Sequence, residues 1–204
     1  MEGILDANDH IAEHINEHLS AHGVLVVNEM GAPGVGKTTT LKNMGIDTHQ
    51  INTHGECHLD APMIDHMVDH MNFDEKGILF IENIGNLVCP AEFSIGEHVM
   101  MLISTVTEGS DKPYKYPLAF EKADLIILNK VDLIPYLDFD EDFYMKGVRA
   151  LNKDVPVFKV SGKTGEGFEE VVAWLTERAN KLEVKEHHHD HEHDHHGHEH
   201  HHHD

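Results

Sequence analysis

Apolar and polar positions follow two rhythms along this chain. Ile4, Ile11, Ile15 and Leu19 recur at near-helical spacing, which predicts a helix over residues 6–22 with Gly23 as its stop. Residues 24–27, Val-Leu-Val-Val, form the compact apolar run of a strand buried on both faces. Similar runs recur at 77–81, 100–106, 124–128 and 156–160. Helical patterns lie between them at 62–71, 139–151 and 168–182, with a short one ending at Met44. Strands alternating with helices predict an α/β fold, a mostly parallel sheet flanked by helices. No internal repeat is present. From Glu186 the rhythm ends, and only His, Asp, Glu and one Gly remain. Such a tail has no apolar residue to bury and is expected to be disordered without metal. The expected organisation is an N-terminal helix over 1–23, a nucleotide domain over 24–183 and a His-rich tail over 184–204.

Composition narrows the class. With 204 residues, 40% hydrophobic and 25% charged, the chain has the balance of one globular domain. No apolar run approaches the roughly 20 residues of a membrane helix, and no signal-peptide pattern opens the chain. The expectation is a cytoplasmic protein with no membrane partner. A net charge of −22 argues against a nucleic-acid partner, because phosphate binding needs clustered Lys and Arg. Two cysteines do not make a disulfide framework. The 22 histidines are a chemical signal rather than a packing one.

Residues 31–38 read Gly-Ala-Pro-Gly-Val-Gly-Lys-Thr and fit G-x-x-x-x-G-K-[ST]. Gly31, Gly34 and Gly36, with Val35 between them, let backbone N–H groups turn toward phosphate oxygens. A helix starting at Lys37 aims its positive end at the same anion. Lys37 would reach the β- and γ-phosphates and Thr38 would hold Mg²⁺, with Thr39 beside them. The pattern therefore predicts a P-loop NTPase. Asn129-Lys130-Val131-Asp132 ends the 124–128 strand, where α/β sheets place ligands. The Asp132 carboxylate can accept from both N1–H and N2–H₂ of guanine, a pair that adenine does not offer. An ATP-dependent enzyme stays open only if Asp132 does not read the base. Ser161, Gly162 and Lys163 follow the last strand and suit a contact to the base carbonyl. Glu82 ends the 77–81 strand, the usual place for a Mg²⁺-holding acid, although a solvated strand-end carboxylate reads the same way.

A second chemistry is written in soft ligands. Cys57, His58 and Cys89 offer two thiolates and an imidazole, a set suited to Zn²⁺ or Ni²⁺. Three ligands leave a four-coordinate site one short, which a symmetric dimer could complete. The plainer alternative is two cysteines packed as small hydrophobes. His10, His14, His18 and His22 form an i, i+4 stripe that reads as a chelating row or as a solvated face. The tail holds twelve imidazoles: His187, His188, His189, His191, His193, His195, His196, His198, His200, His201, His202 and His203. Neutral imidazole binds Ni²⁺ well, and the interspersed acids draw cations. A purification tag is the alternative, but an ordinary tag is an uninterrupted His run.

These residues resemble the GTPase family that delivers nickel during nickel–iron hydrogenase maturation, usually called HypB. The resemblance is carried by Cys57-His58-Leu59-Asp60-Ala61, by residues 81–90 (Ile-Glu-Asn-Ile-Gly-Asn-Leu-Val-Cys-Pro) and by residues 107–117, and spans most of 6–182. The Glu-Asn-Ile-Gly-Asn-Leu-Val-Cys-Pro run separates this family from the related urease nickel GTPase, which carries Cys-Pro-His instead. The resemblance implies GTP hydrolysis with Mg²⁺, a homodimer favoured by GTP and a Ni²⁺ or Zn²⁺ site from Cys57, His58 and Cys89. It implies a maturation partner and the hydrogenase large subunit as clients. It makes Glu82-Asn83-Ile84-Gly85 the γ-phosphate sensor and puts Asp111 and Lys112 in a nucleotide-responsive or dimer loop. The chain departs from the family after the P-loop helix. Several dozen residues, including a strand and acids near the Mg²⁺, are expected there, but Lys37 and Ile51 are only fourteen positions apart. A shortened region, a strained local topology and a sheet with fewer strands are therefore expected. Slow GTP hydrolysis, with Lys37, Thr38 and Glu82 acting by position and charge, is the leading reading. A nickel- or zinc-storing protein with a degenerate, non-hydrolysing G domain is the alternative.

Overall fold

The computed structural model describes residues 2–45, 58–73 and 75–182. Within them, five parallel strands form one sheet in the order β2-β1-β3-β4-β5: β1 Val24–Met30, β2 Gly77–Glu82, β3 Val99–Thr105, β4 Leu125–Asn129 and β5 Val157–Lys159. The chain leaves β1 to one side for β2 and returns to the other side for β3. Strand order therefore reverses at β1, and the crevice at the carboxyl ends of β1 and β3 is where such sheets bind ligands.

Among the described residues, eight α-helices surround the sheet: α1 Glu2–Ala21, α2 Lys37–Asn43, α3 Ala61–Val68, α4 Cys89–Glu92, α5 Lys112–Lys115, α6 Pro117–Lys122, α7 Glu141–Leu151 and α8 Phe168–Asn180. The sequence explains their starts. Asp60 caps α3 by accepting from the Met63 N–H at 3.0 Å, and Asp140 caps α7 by accepting from Phe143 at 2.9 Å. Pro62, Pro90, Pro113 and Pro117 sit in first turns, where their missing N–H removes no helical bond.

Alternate residues of β1 face opposite layers. Leu25 and Val27 pack with Val35 and with Phe168, Val171 and Leu175 of α8. Val24 and Val26 pack with Ala12, Ile15 and Leu19 of α1 and with Ile64 and Val68 of α3. A third cluster joins Met30, Leu102, Ile126 and Leu128 to Phe120 of α6 and to Tyr144 and Val148 of α7.

Two expectations change. The first strand runs on to Met30, so Asn28 and Glu29 lie inside it as 0% exposed residues. The helix after the P-loop is short, seven residues, but it is not the whole β1–β2 crossover. The eight-residue α3 shares that task, packed on α1, so the expected strain is not needed to return the chain to the sheet. Ile51 lies outside the described residues.

Candidate functional site

The phosphate loop follows β1 directly. Gly36 caps α2 at φ 96°, a left-handed conformation, and a Cβ there would lie 2.7 Å from the Asn129 Nδ2. Lys37 is buried, and its ammonium donates to the carbonyls of Gly31 at 3.1 Å and Ala32 at 3.4 Å. Burial lowers its pKa, opposed by the negative charges of Glu82, Glu29 and Glu108. Thr38 donates its hydroxyl to both carboxylate oxygens of Glu82, at 3.0 and 2.8 Å. A hydroxyl and a carboxylate already in contact, under the open end of the loop, form a donor set that fits Mg²⁺.

The guanine-type motif is tied to that loop by two side chains, Asn129 and Lys130. Asn129, 2% exposed, donates through Nδ2 to the Val35 carbonyl at 2.9 Å. Its Oδ1 accepts from the N–H groups of Lys130 at 2.7 Å and Gly162 at 3.0 Å. Lys130 adopts φ 63° and donates from Nζ to the Gly34 carbonyl at 2.9 Å. Ser161 donates to Asp132 Oδ1 at 2.7 Å and accepts from the Thr164 N–H, so the last turn holds Asp132 in place. Asn43 on α2 bridges the Thr39 and Gly162 carbonyls. Lys163 is exposed in the same turn. All the residues expected to hold nucleotide are thus brought to one edge of the sheet.

The loop after β2 packs against the phosphate loop. Gly31 and Asn86 form an isolated bridge, and a Cβ on Gly85 would lie 2.9 Å from the Pro33 ring. Asn83, 2% exposed, donates to Asn28 Oδ1 at 3.2 Å and accepts from the N–H groups of Ile84 and Leu59 at 2.9 and 3.3 Å. It therefore touches the residue next to His58. Lys112 pairs with Glu108 at 2.9 Å and Asp111 with Lys115 at 2.6 Å, so the 108–115 turn is internally neutralised.

The soft ligands are only partly in view. Cys57 and the tail histidines from His187 to His203 lie outside the described residues. The His58 ring stacks on Phe93 at 4.3 Å between centroids, and half-buried Cys89 begins α4. His14, His18 and His22 follow one another at ring separations of 6.5 and 4.7 Å, and His14 Nδ1 is 3.8 Å from Asp65. Among the described residues, no three His, Cys, Asp or Glu side chains converge on a common metal position.

Sequence reasoning missed Glu29. Both its carboxylate oxygens are buried without a hydrogen-bond partner. Burial pushes its pKa up to about 8, helped by Glu82 and opposed by Lys37. The available signal was a charged residue set between Asn28 and Met30 just before the phosphate loop.

Residues 10–159 match the family described as CobW/HypB/UreG, nucleotide-binding domain. The chain is 38% identical to the hydrogenase maturation factor HypB of Azotobacter vinelandii, covering 90% of this chain and 71% of that one. That alignment spans 214 positions, more than the whole 204-residue chain, so the relative holds residues that this chain lacks. Among solved structures, HypB from Archaeoglobus fulgidus superposes with a TM-score of 0.77 at 36% identity, covering 85% of this chain and 99% of that one. HypB from Helicobacter pylori in complex with nickel gives 0.79 at 30% identity, covering 88% and 99%.

Proposed function

Starting from the fact that this chain belongs to the HypB family of hydrogenase maturation factors, a P-loop GTPase family, we propose that it is a GTP-dependent nickel carrier. It would bind GTP with Mg²⁺, hydrolyse it slowly and couple hydrolysis to nickel insertion into nickel–iron hydrogenase. The observation that carries this reading is Asn83. Its side chain links the loop after Glu82 to Leu59, one residue from His58, so a change at the γ-phosphate end has a direct path to the Cys-His segment. Lys37 would neutralise phosphate charge, Thr38 and Glu82 would hold Mg²⁺, and Asp132 would select guanine. Mg²⁺ would supply further charge neutralisation at the β- and γ-phosphates. Cys57, His58 and Cys89 would carry Ni²⁺ or Zn²⁺ in a dimer, and the tail imidazoles would hold a nickel reserve. The clients would be a maturation partner and the hydrogenase large subunit, in the cytoplasm. No helix among the described residues is long and apolar enough to cross a membrane.

The shortened segment favours one competing reading, a storage protein with a degenerate G domain. Calorimetric titration with GTP and Mg²⁺ separates the two, since a storage protein shows no heat of binding. In the GTPase reading Lys37→Ala abolishes hydrolysis, and an unchanged rate in that variant rejects the assignment of the site.

A further inference from the structure

Glu29 has no role in the assignment above, yet its placement is unusual. It lies on β1, two residues before Gly31, fully buried and with neither carboxylate oxygen hydrogen-bonded. Leu25 and Val27, on the same face of the strand, are apolar core residues. An apolar side chain would continue that face without stranding a carboxyl group in it. Glu29 is paired in register with Glu82 on the neighbouring parallel strand. Cβ atoms of paired residues leave the sheet on the same side. Glu82 turns its carboxylate to the Thr38 hydroxyl, so that side is the one facing the phosphate loop. Lys37 lies within the electrostatic reach of both acids.

Mg²⁺ takes oxygen ligands, keeps several waters and is usually held by one or two carboxylates together with phosphate oxygens. Thr38 and Glu82 supply a single carboxylate. The relative from Azotobacter vinelandii holds residues that this chain lacks, and the family resemblance puts the shortfall after the P-loop helix. We propose that Glu29 is the second acid of the Mg²⁺ site, set on the floor of the loop, where its lone pairs accept from water bound to the ion. This rests on the GTPase reading and adds a positioning residue to it. The same carboxylate would also set how much Mg²⁺ the protein needs before nucleotide is held tightly.

The test uses the full chain and its Glu29→Gln, Glu29→Leu and Glu29→Asp variants, each checked for folding by circular dichroism. GTP affinity is measured in EDTA and across a Mg²⁺ titration, and the ion site is read with Mn²⁺ by electron paramagnetic resonance with GDP bound. The expected result is an EDTA affinity within about twofold of the parent for Glu29→Gln and Glu29→Leu. The Mg²⁺ concentration for half-maximal binding rises at least about tenfold, and the Mn²⁺ signal of the nucleotide-bound site weakens. Glu29→Asp recovers part of that loss. An unchanged Mg²⁺ requirement with altered thermal stability alone overturns the proposal and leaves Glu29 a structural residue. An equal loss of affinity in EDTA and in Mg²⁺ overturns it in favour of a counter-charge for Lys37. Absence of GTP binding by the unsubstituted chain overturns the GTPase reading itself, and this proposal with it.

Discussion

Asn129 and Asp132 sit three residues apart and make opposite kinds of contact. Asn129 is a joint: its amide joins Val35 of the phosphate loop to Gly162 of the last turn, and almost none of it reaches solvent. Asn129→Ala leaves the Gly162 N–H without that acceptor, and a loss of about 1–3 kcal/mol in stability is expected by chemical denaturation, with weaker nucleotide binding. Asp132 is half-exposed and held by Ser161, free to face a ligand edge. Asp132→Asn should therefore leave stability nearly unchanged. GTP affinity should fall roughly 10–100-fold, the size of one or two hydrogen bonds, with a shift toward xanthosine triphosphate. Unchanged GTP preference in that variant would reject the guanine assignment. Both residues belonged to a motif visible in the sequence. That one of them works inward and the other outward was not visible, because Val35 and Gly162, which Asn129 joins, are far from it along the chain.

At the level of elements, the attachment of α1 shows what periodicity reaches and what it does not. The stripe through Ile15 and Leu19 is buried as the spacing implied, at 1% and 0% exposure. A polar chain fixes the end of the helix. The Val26 N–H donates to His98 Nδ1 at 2.9 Å, so the ring is neutral and its Nε2–H donates to the Ser20 hydroxyl at 2.8 Å. Ser20 in turn donates to the Asn16 carbonyl. Burial lowers the His98 pKa below the usual value, opposed by Glu97. The unfolded chain then takes up the proton more readily than the fold does. This contribution is complete above about pH 6.5 and is lost as pH falls below it. His98→Gln keeps an acceptor and a donor but does not titrate. The stability gap between parent and variant should narrow as pH is lowered from about 7 to about 5. A constant gap would remove His98 from the network. The short helices α4, α5 and α6 were not legible, since four to six residues span too few turns to show a period.

For the whole molecule, the loop after β2 touches the phosphate loop at Gly85 and, through Asn83, reaches Leu59 next to His58. If GTP closes a dimer around Cys57, His58 and Cys89, light scattering should show a dimer with a non-hydrolysable GTP analogue and a monomer with GDP. One oligomeric state in both samples would dissociate the metal site from the nucleotide. Removing residues 187–204 should lower the number of nickel ions bound per chain and leave the Cys89-dependent ion in place. Equal uptake with and without the tail would end its role as a reserve.

The sequence by itself determined the α/β class, the phosphate loop, the guanine-type motif and the histidine wealth. Each of these rests on local spacing, which short stretches of chain carry in full. Only the tertiary structure decided that Glu29 is a buried, unpartnered acid beside Glu82, that Asn129 is a joint and that Asn83 reaches Leu59. Those facts depend on which strands lie side by side and which way each side chain leaves the sheet. Which strands lie side by side arises from packing across the whole fold, whereas local alternation carries only which residues of one strand share a face.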